Sequence, residues 1–157
     1  MSVRRHTTSL VLKALFDTLG DISGKRFLDM FAGSGRVGEE ALRRGASEVF
    51  FIEADPLMVR GISRRVSQSR VLKMDYKKAV QKLSLDGERF DIIFADPPYE
   101  KGFVEDILRL LEKFPLLKEN GVLVVERSRR ERFEPGAWSV IKERRYGDTI
   151  LTYLKEG

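Results

Sequence analysis

Phe90-Asp91-Ile92-Ile93-Phe94-Ala95-Asp96-Pro97-Pro98-Tyr99 is the stretch around which the chain is organised. Ile92, Ile93 and Phe94 form an apolar run too short for a helix and rich in strand formers, which predicts a buried strand. The strand has to stop at Asp96, because two successive prolines donate no N–H and cannot continue a central ladder. Each proline also drives the residue before it towards extended backbone, so Asp96 and Pro97 are both restrained. The result is a stiff loop at the carboxyl end of a strand. It carries a carboxylate, carbonyl acceptors without matching donors, and the flat ring of Tyr99. Such a loop suits the exocyclic amino group of a nucleobase, with acceptors for its hydrogens and a ring on which the base can stack.

Outward from this strand, the chain alternates between strand and helix patterns. Residues 1–7 read as a polar, basic arm containing His6. Ser9 is placed to cap a helix running to about Leu19, which Gly20 ends. A strand is expected over Arg26–Met30, a helix from about Arg36 to Arg44 closed by Gly45, and a strand over Glu48–Ile52. Asp55-Pro56 opens another helix, with Pro56 at its first position. A short strand over Arg70–Met74 and a helix from Tyr76 to about Leu83 precede the opening strand. After it come an amphipathic helix from Phe103 to about Phe114, a turn at Asn120-Gly121, and a buried strand over Val122–Glu126. Trp138–Tyr146 and Thr149–Leu154, joined at Gly147-Asp148, read as a closing hairpin. This alternation predicts one α/β domain over residues 1–157. It holds a seven-stranded, mostly parallel sheet with a final antiparallel strand and helices on both faces.

Composition narrows the chemistry. The 157 residues contain no cysteine and one histidine, so thiolate chemistry is excluded and a histidine metal site or triad has almost nothing to draw on. No apolar run approaches the roughly 20 residues of a membrane span, and the N-terminus lacks the apolar core of a signal peptide, so a cytoplasmic location is expected. The net charge of +5 favours an anionic partner. Basic residues gather at Arg60, Arg64, Arg65, Arg70, Lys73, Lys77 and Lys78, and again at Arg127, Arg129, Arg130 and Arg132. They read either as phosphate contacts or as solvated helix faces.

In parallel sheets, ligands bind at the carboxyl ends of strands near the reversal of strand order. Acidic residues stand at or near four successive strand ends here: Asp29, Glu53, Asp75 and Asp96. Gly33-Ser34-Gly35 with Gly38 follows the first strand, where glycines allow a close ligand approach and a helix N-terminus offers free N–H groups. Glu53 lies at the distance expected for a carboxylate on ribose hydroxyls. Asp75 is placed either to meet an adenine amino group or to cap the helix beginning at Tyr76. Trp138 reads as a core residue.

These pieces jointly resemble the class I S-adenosylmethionine-dependent methyltransferases, and Asp96-Pro97-Pro98-Tyr99 narrows the resemblance to those that methylate amino groups of nucleobases. Leu28-Asp29-Met30-Phe31-Ala32-Gly33-Ser34-Gly35, Gly38, Glu40-Ala41-Leu42, Arg44-Gly45-Ala46 and the run from Asp91 to Tyr99 resemble the bacterial RsmD family, which methylates guanine N2 in 16S ribosomal RNA. Arg5, Thr7, Val11, Ala14-Leu15-Phe16 and Tyr146-Gly147-Asp148-Thr149 fit the same pattern. The chain departs from it at Leu10, Leu12 and Lys13, where the family typically has Arg, Arg and Glu. It departs again where Arg64 and Arg65 occupy the neighbourhood of a common Asn. The resemblance implies a Rossmann-like class I fold and S-adenosyl-L-methionine as cofactor, with S-adenosylhomocysteine as product and no metal. It implies cofactor contacts from Asp29, Phe31, Ala32, Gly33, Ser34, Gly35, Gly38, Glu53, Ala54, Asp75, Tyr76 and Asp96. Catalysis falls to Asp96, Pro97, Pro98 and Tyr99. The implied partner is ribosomal RNA or the small-subunit ribonucleoprotein, met by a monomer with no membrane association. Two other readings share the same residues: an adenine-N6 methyltransferase acting on DNA or RNA, and a non-catalytic RNA-binding module on the same fold.

Overall fold

A computed structural model describes residues 7–67, 70–99 and 102–157. Arg5 and His6, and with them most of the expected arm, lie outside the described residues. The elements in chain order are α1 (Ser9–Leu19), β1 (Arg26–Met30), α2 (Arg36–Arg43), β2 (Glu48–Ile52), α3 (Pro56–Arg65), β3 (Arg70–Leu72), α4 (Tyr76–Leu85), β4 (Phe90–Ala95), α5 (Phe103–Lys113), β5 (Leu117–Ser128), β6 (Trp138–Tyr146) and β7 (Thr149–Glu156). The strands form one seven-stranded sheet in the order β3-β2-β1-β4-β5-β7-β6. Pairing is parallel from β3 to β5, and β7 lies antiparallel to both β5 and β6. Strand order reverses between β1 and β4, which leaves a crevice at their carboxyl ends.

Both faces of the sheet are covered, which is why its central strands are apolar at nearly every position. On one face Leu28, Met30, Phe50, Ile52 and Ile93 pack with Val80 and Leu83 of α4 and Ile107 and Leu111 of α5. On the other, Phe27, Phe51, Ile92 and Phe94 pack with Leu15 and Phe16 of α1, Val37 and Ala41 of α2, and Ile62 of α3. Trp138 belongs to the first core, and its indole N–H donates to the Leu108 carbonyl at 3.1 Å. Among the described residues no helix is long and apolar enough to cross a membrane.

Several local expectations need correction. Thr8, not Ser9, caps α1: its backbone is extended and its hydroxyl accepts from the Val11 N–H at 3.2 Å, while Ser9 is already helical. Thr7 is no arm residue. It is 7% exposed, and its hydroxyl donates to the Glu126 carboxylate at 3.0 Å. β3 ends at Leu72, short of Met74. Asn120-Gly121 does not separate two elements, because β5 runs through it from Leu117. Phe90 pairs with Leu117 and Ile92 already pairs with Val122, so β5 spends extra residues in a bulge, with Asn120 at φ +66°. A left-handed Asn serves a bulge as well as a turn.

Candidate active site

The loop from Phe31 to Gly35 is set by backbone conformation. Phe31 has φ +63°, a position rarely taken by a bulky residue, and Gly35 at φ +82° caps α2. Three hydrogen bonds fix the loop beneath its neighbours. Asp29, 1% exposed, accepts the Gly38 N–H at 3.0 Å. Glu53, 5% exposed, accepts the Gly33 N–H at 2.6 Å through one oxygen and the Asp55 N–H at 2.9 Å through the other. Glu53 therefore ties the loops at the ends of β1 and β2 together on one side of the crevice. Arg65 donates to the Ser34 carbonyl and lies 3.7 Å from Glu39, so one of the departures from the family pattern has become a clasp on the glycine loop.

Gly38 is where α2 presses against the sheet. A Cβ there would fall 2.3 Å from Phe51 Cε1 and 2.9 Å from Val49 Cγ1, and Phe51 is wholly buried. Gly38→Ala is therefore expected to lower stability by about 1–3 kcal/mol through overpacking, read as a drop in thermal midpoint of roughly 2–4 °C per kcal/mol. An unchanged midpoint would show that α2 can lift without cost.

A cavity of about 290 Å³ opens at the β1/β4 crevice. Of the expected cofactor residues, Asp29, Phe31, Ala32, Gly33, Ser34, Glu53 and Asp96 line it. Gly35, Gly38, Ala54, Asp75 and Tyr76 stand outside that lining. Asp75 is exposed and caps α4, accepting the Lys77 N–H at 3.0 Å. Tyr76 forms an aromatic trio with Phe31 and Phe103, at centroid separations of 4.7 and 5.8 Å. Burial, with the charges of Asp106 and Asp75 adding to it, pushes the Tyr76 hydroxyl up to about 12.

Asp96 follows directly on β4 and is 8% exposed, at the boundary between the cavity and the proline loop. Pro97 is buried, while Pro98 and Tyr99 are half-buried. The Tyr99 hydroxyl lies 3.5 Å from Thr149 Oγ1, so the loop leans over the end of β5 towards β7. The cavity also takes in residues that sequence reasoning did not assign to the site: Thr7, Arg36, Val37, Asp55, Met58 and Phe94. Arg36 joins two of the site's margins. Its guanidinium donates to the Thr7 carbonyl at 2.8 Å and to Ser9 Oγ at 2.7 Å, holding the start of α1 beside the glycine loop. The fit of Thr7 and its neighbours Arg5 and Val11 to the family pattern is the signal in the sequence that this segment has a role beyond packing.

The basic clusters divide by their partners. Arg127 is 7% exposed, paired with Glu143 at 2.6 Å and stacked over Phe133, so it is a structural cation and not a phosphate contact. Arg129 and Arg130 share Asp148, at 2.6 and 3.8 Å. Arg70 pairs with Glu88 at 3.5 Å and lies over Phe50. Arg60, Arg64, Lys73, Lys77 and Lys78 are exposed.

A doubly wound sheet with a glycine loop after β1, a carboxylate after β2 and a proline-stiffened acidic loop after β4 defines the class I methyltransferase fold. The RNA methyltransferase of Salinibacter ruber, solved with S-adenosyl-L-homocysteine, shares that fold at a TM-score of 0.73 and 15% identity, over 95% of this chain and 92% of the other. Within the class, residues 2–155 match the family described as conserved hypothetical protein 95, and the chain belongs to this RsmD family. Ribosomal RNA small subunit methyltransferase D of Haemophilus influenzae is 31% identical over 158 residues, covering 95% of this chain and 80% of the relative. A conserved hypothetical protein of Streptococcus pyogenes superposes with a TM-score of 0.82 at 31% identity, over 93% of this chain and 96% of that one.

Proposed function

We propose that the protein transfers a methyl group from S-adenosyl-L-methionine to the exocyclic N2 of a guanine in the RNA of the small ribosomal subunit, acting as a cytoplasmic monomer without a metal. One observation carries this reading: Asp96 is shared between the cavity at the glycine loop and the proline loop that bears Tyr99. Membership of the family and the activity named for the Haemophilus influenzae relative support it.

The residues present fit the cofactor. Glu53 and the backbone of Phe31 to Ser34 offer polar contacts for a ribose and an amino-acid moiety, and Phe31, Met58 and Phe94 supply apolar wall. When bound there, the cofactor's sulfonium supplies an electrophilic methyl group. The protein's part is placement. An aromatic amino group is a poor nucleophile because its lone pair is delocalised into the ring. Asp96 and the Pro97 carbonyl accept its two N–H bonds and so favour a pyramidal nitrogen, whose lone pair can then be aimed. Tyr99 stacks on the base, a contact worth about 1–3 kcal/mol in comparable nucleic-acid sites. Most of the acceleration comes from orientation and fixed dipoles: the amino nitrogen bonds the methyl carbon as the carbon–sulfur bond breaks, S-adenosylhomocysteine departs, and the surplus amino proton passes to the Asp96 carboxylate after transfer.

The test is transfer of labelled methyl to small-subunit RNA prepared from cells lacking the protein, followed by nucleoside analysis. N2-methylguanosine is the expected product. N6-methyladenosine would replace the target base by adenine, and binding of RNA without any transfer would favour a non-catalytic module.

A further inference from the structure

The β6–β7 hairpin brings its tip to the rim of the site. Tyr146 of β6 and Ser128 of β5 both pair with Thr149, the residue whose hydroxyl lies 3.5 Å from that of Tyr99. β6 is the edge strand of the sheet and carries Lys142, Arg144 and Arg145, all exposed. Ion pairing sets these three cations apart from Arg127, Arg129 and Arg130 of the basic run that precedes the hairpin, whose fourth member, Arg132, is exposed. Arg127 is committed to Glu143, and Arg129 and Arg130 share the single carboxylate of Asp148, at 2.6 and 3.8 Å. Glu143, the acid on β6 itself, also accepts from Thr152 at 3.0 Å and is turned to the Arg127 side. Among the described residues the guanidinium groups of Arg144 and Arg145 donate to backbone carbonyls alone, those of Glu143 and Gly147, at 3.1 and 3.0 Å. Among the described residues no carboxylate pairs with Lys142, Arg144 or Arg145.

We infer that the free edge of β6, through Arg145 on one face and Arg144 with Lys142 on the other, holds the phosphates that flank the target nucleotide. The inference rests on the RNA-methyltransferase reading and adds the direction from which the RNA arrives. The cavity lies on the β1–β2 side of Asp96, and Tyr99 leans the other way, towards β7. On this reading the backbone of a base held at Asp96 runs over β5, β7 and β6. Three strand spacings, about 14 Å, separate β4 from the edge. Guanidinium groups suit that role, since each can bind a phosphate through two parallel N–H donors. A cation without a carboxylate partner meets a phosphate without first breaking an ion pair, and each phosphate so neutralised releases its condensed counterions.

The experiment titrates a labelled single-stranded RNA of mixed sequence into the full chain across a salt series, comparing wild type with Arg144→Gln/Arg145→Gln and with Arg129→Gln/Arg130→Gln. Loss of two phosphate contacts should flatten the dependence of log K on log salt by about 1.4 and weaken binding on the order of tenfold near 0.1 M salt. Affinity for S-adenosylmethionine and the thermal midpoint should stay at wild-type values in the Arg144/Arg145 variant. The Arg129/Arg130 pair should lose distinctly less RNA affinity. Wild-type slope and affinity in the Arg144/Arg145 variant, or an equal loss in both variants, would overturn the inference. Because the readout is binding alone, it separates from the activity: RNA held through these arginines without methyl transfer would sink the proposed reaction and keep the surface.

Discussion

Replacing Asp96 by alanine is expected to slow methyl transfer by a factor on the order of 10³, about 4 kcal/mol of barrier, while affinity for S-adenosylmethionine stays within about threefold. Asp96 has one neighbour on each side of its duties, with the cavity behind it and the proline loop in front. An acceptor is of most value there if it engages the amino group as its nitrogen changes shape, because only interactions that strengthen towards the transition state raise the rate. The side chain is 8% exposed, so alanine would leave a small gap and not a collapsed loop, since Pro97 and Pro98 restrain the backbone independently. Asp96→Asn keeps one acceptor and should lose less, on the order of 10². Single-turnover rates combined with calorimetry separate the two quantities. If Asp96→Ala loses cofactor binding in step with rate, Asp96 serves the cofactor wall and not the amino group.

The second large effect is expected at Glu53, and it falls on binding. Both carboxylate oxygens are engaged, with Gly33 N–H at 2.6 Å and Asp55 N–H at 2.9 Å. Glu53→Gln keeps the volume but puts an NH2 group against one of these donors, leaving a buried N–H without an acceptor. Such an orphan costs about 1–3 kcal/mol, which corresponds to roughly a ten- to hundredfold loss of cofactor affinity when the loop it distorts is the binding loop. The rate at saturating cofactor should fall far less than the affinity. A variant that binds S-adenosylmethionine as tightly as wild type would show that the Gly33 loop holds its shape without this carboxylate.

Local chemistry made most of the architecture readable from the chain. β1 and β2 appear where the apolar runs place them, and α3 begins at Pro56 with the Asp55 side chain accepting from the Leu57 N–H, as the residue types at a helix start require. Asp29, Glu53 and Asp96 were legible as strand-end carboxylates that share one cavity. What failed to show depends on partners far apart in sequence. Charge counting left Arg127 as either a phosphate contact or a solvated residue, but hairpin register buries it against Glu143. The Thr7–Glu126 bond joins residues 119 positions apart, and no local pattern announces it. Asn120-Gly121 misled for a different reason: positive φ at Asn is the same local event in a turn and in a bulge, and only the pairing of the neighbouring strand tells them apart.

The reversed direction of β7 has a consequence for how this site can change over time. The loops after β1, β2, β3 and β4 each lead into a helix that is packed on the sheet. A length change in any of them must be absorbed by moving that helix. The turn between Tyr146 and Thr149 joins two strands already paired with each other, so extra residues there extend outward without altering register. The rim of the site thus contains one appendage whose reach can be redesigned while the cofactor pocket is left alone, and lineages that acquire a new target base have in it the least costly place to begin.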